Sequence, residues 1–108
     1  MGDYAMLFKL TDRGRRVLKD PVRFMNQVEE AWKAIEGEAR VYLMMGEHDF
    51  LVVASAPRPE DVVALALEVA KSGDVSASTT PIYSLQNVAE LAKFIPAGGS
   101  LHFDIEHE

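Results

Sequence analysis

Three consecutive titratable side chains, Glu47, His48 and Asp49, form the densest chemically capable group in the sequence. Imidazole titrates closest to neutral pH, so His48 is the candidate for a general acid or base. In an extended segment, however, Glu47 and Asp49 point away from the face that carries His48, which leaves the imidazole without a carboxylate to orient it. A turn whose Asp49 side chain accepts backbone hydrogen bonds is the simpler interpretation, and the catalytic one stays open beside it.

A second group, of basic residues, lies between the first predicted strand and the first predicted helix. It contains Arg13, Arg15, Arg16 and Lys19, and is either a mouth for an anionic ligand or a solvated loop. Tyr42 and Trp32 are either pocket-lining or core aromatics between the sheet and the helices. The predicted ligand-binding residues are therefore Arg13, Tyr42, Glu47 and Asp49, with His48 as the catalytic candidate.

Several classes of chemistry find no support in the composition. Without cysteine the chain forms no disulfide and no thiolate metal site. His48, His102 and His107 lack the spacing of a metal site, so we expect no metal. Neither a nucleophile elbow, a phosphate-binding glycine loop nor a dinucleotide fingerprint occurs, and we expect no cofactor. A net charge of −6 argues against nucleic acid as a partner.

The sequence also lacks the patterns of export and membrane insertion. The N-terminal residues have no basic segment followed by an apolar one. The longest apolar stretch, residues 62–70, is interrupted by Glu68 and is too short to span a bilayer. We expect no membrane partner and a cytoplasmic location.

Hydrophobic periodicity and turn residues predict the order βαββαβ, followed by a short helix. The predicted strands cover residues 4–10, 41–45, 50–54 and 75–83. Asp20 and Pro21 begin the first helix, which Gly37 ends at its C′ position. The second helix, apolar around most of its circumference, ends at Gly73 and needs cover on more than one side. Ser84 caps the third.

This order predicts an α+β fold of the ferredoxin-like type, with a four-stranded antiparallel sheet and both long helices on one face. The second and fourth strands are then edges, which suits Pro81 because proline donates no ladder hydrogen bond. The first three strands are apolar on both faces, so we expect a second copy to cover the open face as a homodimer or higher oligomer. We expect one domain over residues 1–96 and a tail, 97–108, that could add a strand.

The segment Gly46-Glu47-His48-Asp49-Phe50 resembles the Gly-x-Tyr-Asp signature of the GYD-domain family, with His48 in the place of its tyrosine. The first loop, Leu10-Thr11-Asp12-Arg13-Gly14, and the run from Ala56-Pro57 to Asp74-Val75 also look like this family. The resemblance extends over roughly residues 4–95. It implies a dimeric α+β barrel and no established reaction, because fold alone does not fix function.

Three functions are compatible with these residues. The leading hypothesis is a homo-oligomer that binds a small molecule between sheet and helices or between subunits. The alternative is a cofactor-free isomerase or monooxygenase that uses His48 as proton carrier. A structural assembly module is the third, and it would have no pocket large enough for a ligand.

Overall fold

Four antiparallel strands form one sheet, and two long helices pack on one of its faces. The computed structural model describes residues 1–95 of the 108-residue chain. The strands are β1 (Gly2–Leu10), β2 (Glu38–Leu43), β3 (Phe50–Ala56) and β4 (Val75–Ile82). The α-helices are α1 (Pro21–Ala34), α2 (Pro59–Ser72) and α3 (Leu85–Leu91), and two 3-10 helices cover Arg13–Lys19 and Ala92–Phe94.

The strand order in the sheet is β2-β3-β1-β4. This order confirms the predicted ferredoxin-like βαββαβ arrangement, with β2 and β4 at the edges. Pro81 lies on the edge strand β4, opposite Tyr4 of β1. Its carbonyl oxygen accepts a local hydrogen bond from the hydroxyl of Thr80 (3.3 Å).

The helix-covered face of the sheet carries the core. Tyr4, Met6 and Phe8 of β1 are buried there, opposite Ala54, Val52 and Phe50 of β3 respectively. Trp32 of α1 and Val62 of α2 close the core from the helix side. The period-two alternation of a strand places all the buried residues of β1 on this one face.

The opposite face carries an apolar area that no part of residues 1–95 covers fully. Leu7, Leu51 and Tyr42 lie side by side across three strands, and Ala5 and Val53 form the next row. We call these five residues the open-face patch. The prediction of two-sided apolar strands is thus confirmed for β1 and β3.

The limits predicted for the second strand, residues 41–45, are wrong. The strand spans Glu38–Leu43, and Met45 lies beyond it with 98% of its surface exposed. Its outer face carries Glu38 and Arg40, whose charges conceal the start of the strand in the sequence. An edge strand can carry charged side chains on the face that the helices do not cover.

Local signals set both ends of α1. The backbone N–H of Arg23 donates to Oδ1 of Asp20 (3.1 Å), and Pro21 occupies the first helical position. At the C-terminus the left-handed residue is Glu36 (φ 63°), not Gly37 as predicted. The N–H of Gly37 donates to the carbonyl of Trp32 (2.9 Å), which makes a Schellman turn. Glycine is needed there because a Cβ would overlap the carbonyl oxygen of Ser55.

Helix α2 begins at Pro59 and ends, as predicted, at Gly73 in the left-handed conformation (φ 78°). Residues 1–95 cover only one side of this apolar helix, since Val63 and Leu67 are 60% and 65% exposed. Hydrogen bonds to the carboxylates of Asp61 and Glu36 raise the pKa of the Arg58 guanidinium above its ordinary value. Arg58 thereby links the start of α2 to the turn after α1.

Helix α3 begins at the predicted cap. The backbone N–H of Asn87 donates to Oγ of Ser84 (3.0 Å), and the side chain of Asn87 accepts the N–H of Ser84 (3.2 Å). Every side chain of α3 is exposed. The domain limit at residue 96 and the tail, 97–108, lie outside the described residues. Within the described part of the chain, no helix combines the length and the apolar character that crossing a membrane requires.

Gly14, in the first 3-10 helix, generates a prediction about stability. A Cβ at this buried position would overlap the carbonyl oxygen of Asp74, whereas a Cβ at Gly46 would meet nothing within 4 Å. We expect Gly14→Ala to lower the free energy of unfolding by about 1–3 kcal/mol, the usual cost of overpacking. Gly46→Ala should change the free energy of unfolding by less than about 0.5 kcal/mol. Urea titration of both variants measures the difference, and equal midpoints would contradict the close approach.

Candidate functional site

A cavity of about 520 Å³ lies between the sheet and the helices. Its floor consists of core residues of the sheet, Met6, Phe8 and Val75. Helices α1 and α2 supply apolar walls, which include Phe24, Trp32, Leu65 and Val69. The floor and these walls together give the cavity an apolar interior, as is usual for small-molecule sites.

The aromatic side chains around this cavity pack against one another. The ring centroids of Phe24 and Phe50 are 4.9 Å apart, and those of Phe8 and Phe24 are 6.0 Å apart. Trp32 packs against Tyr4 with a centroid separation of 6.3 Å. These contacts fix the ring positions, so the shape of the cavity is largely preformed.

Polar side chains surround the mouth of the cavity. Arg16 comes from the first 3-10 helix, Asp20 from the start of α1, and Asp74 from the connection between α2 and β4. Arg23 and Gln27, one helical turn apart on α1, complete this rim together with Ser72. The site therefore combines an apolar interior with a charged entrance.

Main-chain contacts hold the 3-10 helix at this mouth. The N–H of Thr11 donates to the carbonyl of Asp74 (3.0 Å), and its hydroxyl donates to the carbonyl of Gly73 (2.8 Å). Gly14 packs directly against the backbone of Asp74. The two connections are thus joined by one backbone hydrogen bond and by one from the Thr11 hydroxyl to a backbone carbonyl.

The side chain of Asp74 reinforces the same junction. Its Oδ2 accepts a hydrogen bond from the guanidinium of Arg16 (2.8 Å), and its Oδ1 lies 3.4 Å from Nε of Arg13. Oδ1 is itself buried and has no hydrogen-bond partner within residues 1–95. The Asp74 side chain is only 19% exposed, so its two arginine partners offset the cost of burying the charge.

The predicted residues Arg13, Glu47, His48 and Asp49 lie at the same end of the sheet as this mouth. Arg13 binds Asp74 but does not line the cavity. Glu47 is exposed and His48 half-buried, and neither side chain has a hydrogen bond or ion pair in the described part of the chain. The imidazole therefore has no orienting carboxylate, and its catalytic role remains a prediction.

Asp49 has a structural contact of the kind that the turn interpretation predicted. Its Oδ2 accepts the backbone N–H of Leu10 (2.7 Å), and its own N–H donates to the carbonyl of Phe8 (2.8 Å). The carbonyl of Asp49 accepts the N–H of Met44 (2.8 Å). This one residue thus fixes the turn between β2 and β3 to the end of β1.

Tyr42 and Trp32, which the sequence analysis considered together, lie on opposite faces of the sheet. Trp32 lines the cavity, whereas Tyr42 belongs to the open-face patch. Tyr42 therefore does not line the space between sheet and helices, and a ligand role for it remains a prediction for the open face. Arg23, Gln27 and Asp74 were not predicted as site residues from the sequence, although the i, i+4 spacing of the first two indicates a shared helix face.

Metal chemistry finds no support among the described residues, since residues 1–95 contain no group of three or more His, Asp or Glu side chains placed to hold an ion. The mouth instead combines one guanidinium–carboxylate pair, Arg16 with Asp74, with the side chains of Asp20, Arg23 and Gln27.

A four-stranded antiparallel sheet with a cavity under its two helices defines a protein of the ferredoxin-like α+β class. A family model described as the GYD domain matches residues 4–92, and the chain belongs to this family. No match of significance was found among curated proteins or among solved structures.

The contacts of Asp49 generate a second stability prediction. Asp49→Ala leaves the N–H of Leu10 without its partner, so we expect the free energy of unfolding to fall by about 1–3 kcal/mol. Asp49→Asn retains an acceptor oxygen and should recover part of the loss. Glu47 is an exposed neighbour in the same turn, and Glu47→Ala serves as the control. It should change the free energy of unfolding by less than about 0.5 kcal/mol. Chemical denaturation measures all three, and an Asp49→Ala protein as stable as the control would contradict this role.

Proposed function

We propose that the protein is a homo-oligomer that binds a small molecule in the cavity between its sheet and its helices. The observation that carries the proposal is the cavity of about 520 Å³ with its apolar interior. Pockets for small molecules usually measure about 300–1,000 Å³ and combine apolar walls with a few polar groups. A structural assembly module has no need of such a cavity, which favours the binding function over that alternative.

The open-face patch supports the oligomeric part of the proposal. Its five residues form a continuous apolar area across three strands, and Val53 and Tyr42 within it are 40% and 46% exposed. Stacking this face on the same face of a second copy removes the area from water, and the gain is proportional to the apolar surface buried. A face-to-face stack also leaves the mouth of the cavity free, because the cavity lies on the other side of the sheet.

Substitution of Val69 tests the cavity as the binding site. Val69 lines the cavity from α2, whereas Val63 on the same helix is exposed and does not line it. We expect Val69→Phe to reduce binding of the neutral fluorescent probe N-phenyl-1-naphthylamine by about tenfold or more, because the larger ring fills the space. Each 1.4 kcal/mol of lost contact amounts to about a factor of ten. Val63→Phe should bind like the wild type.

The fluorescence of Trp32, the one tryptophan of the chain, measures this binding directly because its ring lines the cavity. Energy transfer from Trp32 reports probe bound to the protein, and the comparison of Val69→Phe with Val63→Phe locates that probe in the cavity. Equal affinity in the two phenylalanine variants would show that the probe binds at another place. A wild-type protein that binds no probe would refute the binding function.

Substitution of Leu51 tests the oligomer. Leu51 lies at the centre of the open-face patch, and Val22 is an exposed residue of α1 on the other side of the sheet. We expect Leu51→Glu to convert the wild-type oligomer into monomer, because a stacked face would bury the new carboxylate without a partner. Val22→Glu should leave the oligomer intact. Sedimentation velocity measures both, and circular dichroism checks that each variant is folded. A monomeric wild type would contradict the proposal.

A further inference from the structure

Two polar side chains at the mouth of the cavity are free to bind a ligand. Arg23 and Gln27 lie one turn apart on α1 and both line the cavity. Within residues 1–95 neither the guanidinium of Arg23 nor the carboxamide of Gln27 makes a hydrogen bond or an ion pair. Only the backbone N–H of Arg23 is engaged, as the donor to Asp20.

Both carboxylates of the rim, in contrast, are already engaged. Asp74 contacts the guanidinium groups of Arg16 and Arg13, at 2.8 Å and 3.4 Å. Asp20 accepts the helix-capping hydrogen bond. Asp20 nevertheless keeps its negative charge, because a backbone N–H does not neutralise a carboxylate. The guanidinium of Arg23 is the positive group of this rim that pairs with no carboxylate in residues 1–95.

The wider charge distribution has the same sign. Residues 12–23, which form the 3-10 helix and the start of α1, contain five cationic side chains and two carboxylates. The whole chain nevertheless carries a net charge of −6. A local positive region on an acidic protein attracts an anion to this end of the cavity and away from the rest of the surface.

Arg23 and Gln27 lie between two spaces. On one side lies the cavity. On the other side lies a shallow depression of about 540 Å³ on the surface of α1, whose lining also includes Val22, Asn26 and Glu30. Arg23 and Gln27 line both spaces, so they stand at the boundary between them.

We propose that the cavity takes an amphipathic ligand with an oxyanion head, and that Arg23 and Gln27 hold this head by hydrogen bonds. The inference rests on the proposed function and adds the class of the ligand. The apolar body of the ligand contacts Phe24, Leu65 and Val69, and its head remains at the mouth, beside Arg23 and Gln27. A guanidinium and an amide N–H both donate, and a carboxylate or phosphate oxygen is the acceptor they fit.

A pair of probes with the same ring skeleton tests this ligand class. 8-Anilino-1-naphthalenesulfonate carries an oxyanion, and N-phenyl-1-naphthylamine is its neutral counterpart. We expect Arg23→Gln to weaken binding of the sulfonate probe by about three- to tenfold, the range for a charge-assisted hydrogen bond at a partly exposed position. Binding of the neutral probe should change by less than about twofold. Energy transfer from Trp32 measures both affinities.

Arg15→Gln is the matched control, since it removes the same charge from an exposed arginine that does not line the cavity. It should change the affinity for either probe by less than about twofold at moderate ionic strength, because exposed charges are screened over distances of about 10 Å. If Arg15→Gln and Arg23→Gln lower the affinity for the sulfonate probe equally, only the overall charge of the protein matters and the proposed contact with Arg23 is wrong.

The outcomes separate the two proposals. If the wild type binds both probes and Arg23→Gln changes neither affinity, the ligand class is wrong and the binding function stands. If it binds neither probe, the binding function fails, and the ligand class fails with it. Displacement of the sulfonate probe by octanoate or by octyl phosphate, but not by octanol, supports the oxyanion head and separates a carboxylate from a phosphate. If octanol displaces the sulfonate probe as readily as both anions do, the proposed oxyanion head is wrong.

Discussion

Asp74 joins the connection between α2 and β4 to the 3-10 helix that follows β1, through both its main chain and its side chain. The carbonyl of Asp74 accepts the N–H of Thr11, and its carboxylate contacts Arg13 and Arg16. Gly14 has to lack a side chain for these two segments to approach so closely. Because Arg16, Val17 and Asp74 all line the cavity, the wall on this side exists only while the junction is intact. The stability of this end of the domain and the shape of the cavity therefore depend on the same contacts.

Much of the fold follows from short-range signals, and these predictions are confirmed. Alternating apolar residues mark β1, proline and a capping aspartate begin α1, and Gly73 ends α2. The failures have a different origin. The left-handed residue is Glu36, and Gly37 is needed for a different reason, because the tertiary approach of Ser55 leaves no room for a Cβ at position 37. The start of β2 is concealed because the charges of Glu38 and Arg40 are acceptable only at an edge, and sequence periodicity does not reveal strand position in the sheet.

The site was less predictable than the fold, since its residues come from segments distant in sequence. The basic cluster drew attention to the correct loop, and Arg16 of that cluster lines the cavity. Asp74 is 58 positions away from Arg16, and no local pattern indicates that the two side chains meet. Tyr42 shows the sensitivity of such predictions to register. A strand alternates faces at every residue, so its pairing with Leu51 places it on the open face, and a shift of one position would have directed it to the cavity.

The edge strand β4 also has a consequence for solubility at high concentration. An exposed edge is a template on which further strands can add, and continued addition leads to fibrils. At position 81 this template is interrupted, because proline has no N–H and its carbonyl oxygen already accepts the hydroxyl of Thr80. The other edge, β2, presents the charged side chains of Glu38 and Arg40. Addition of further strands is thus disfavoured at both edges of the sheet. Association through an apolar face requires no strand addition, so it does not promote fibril formation.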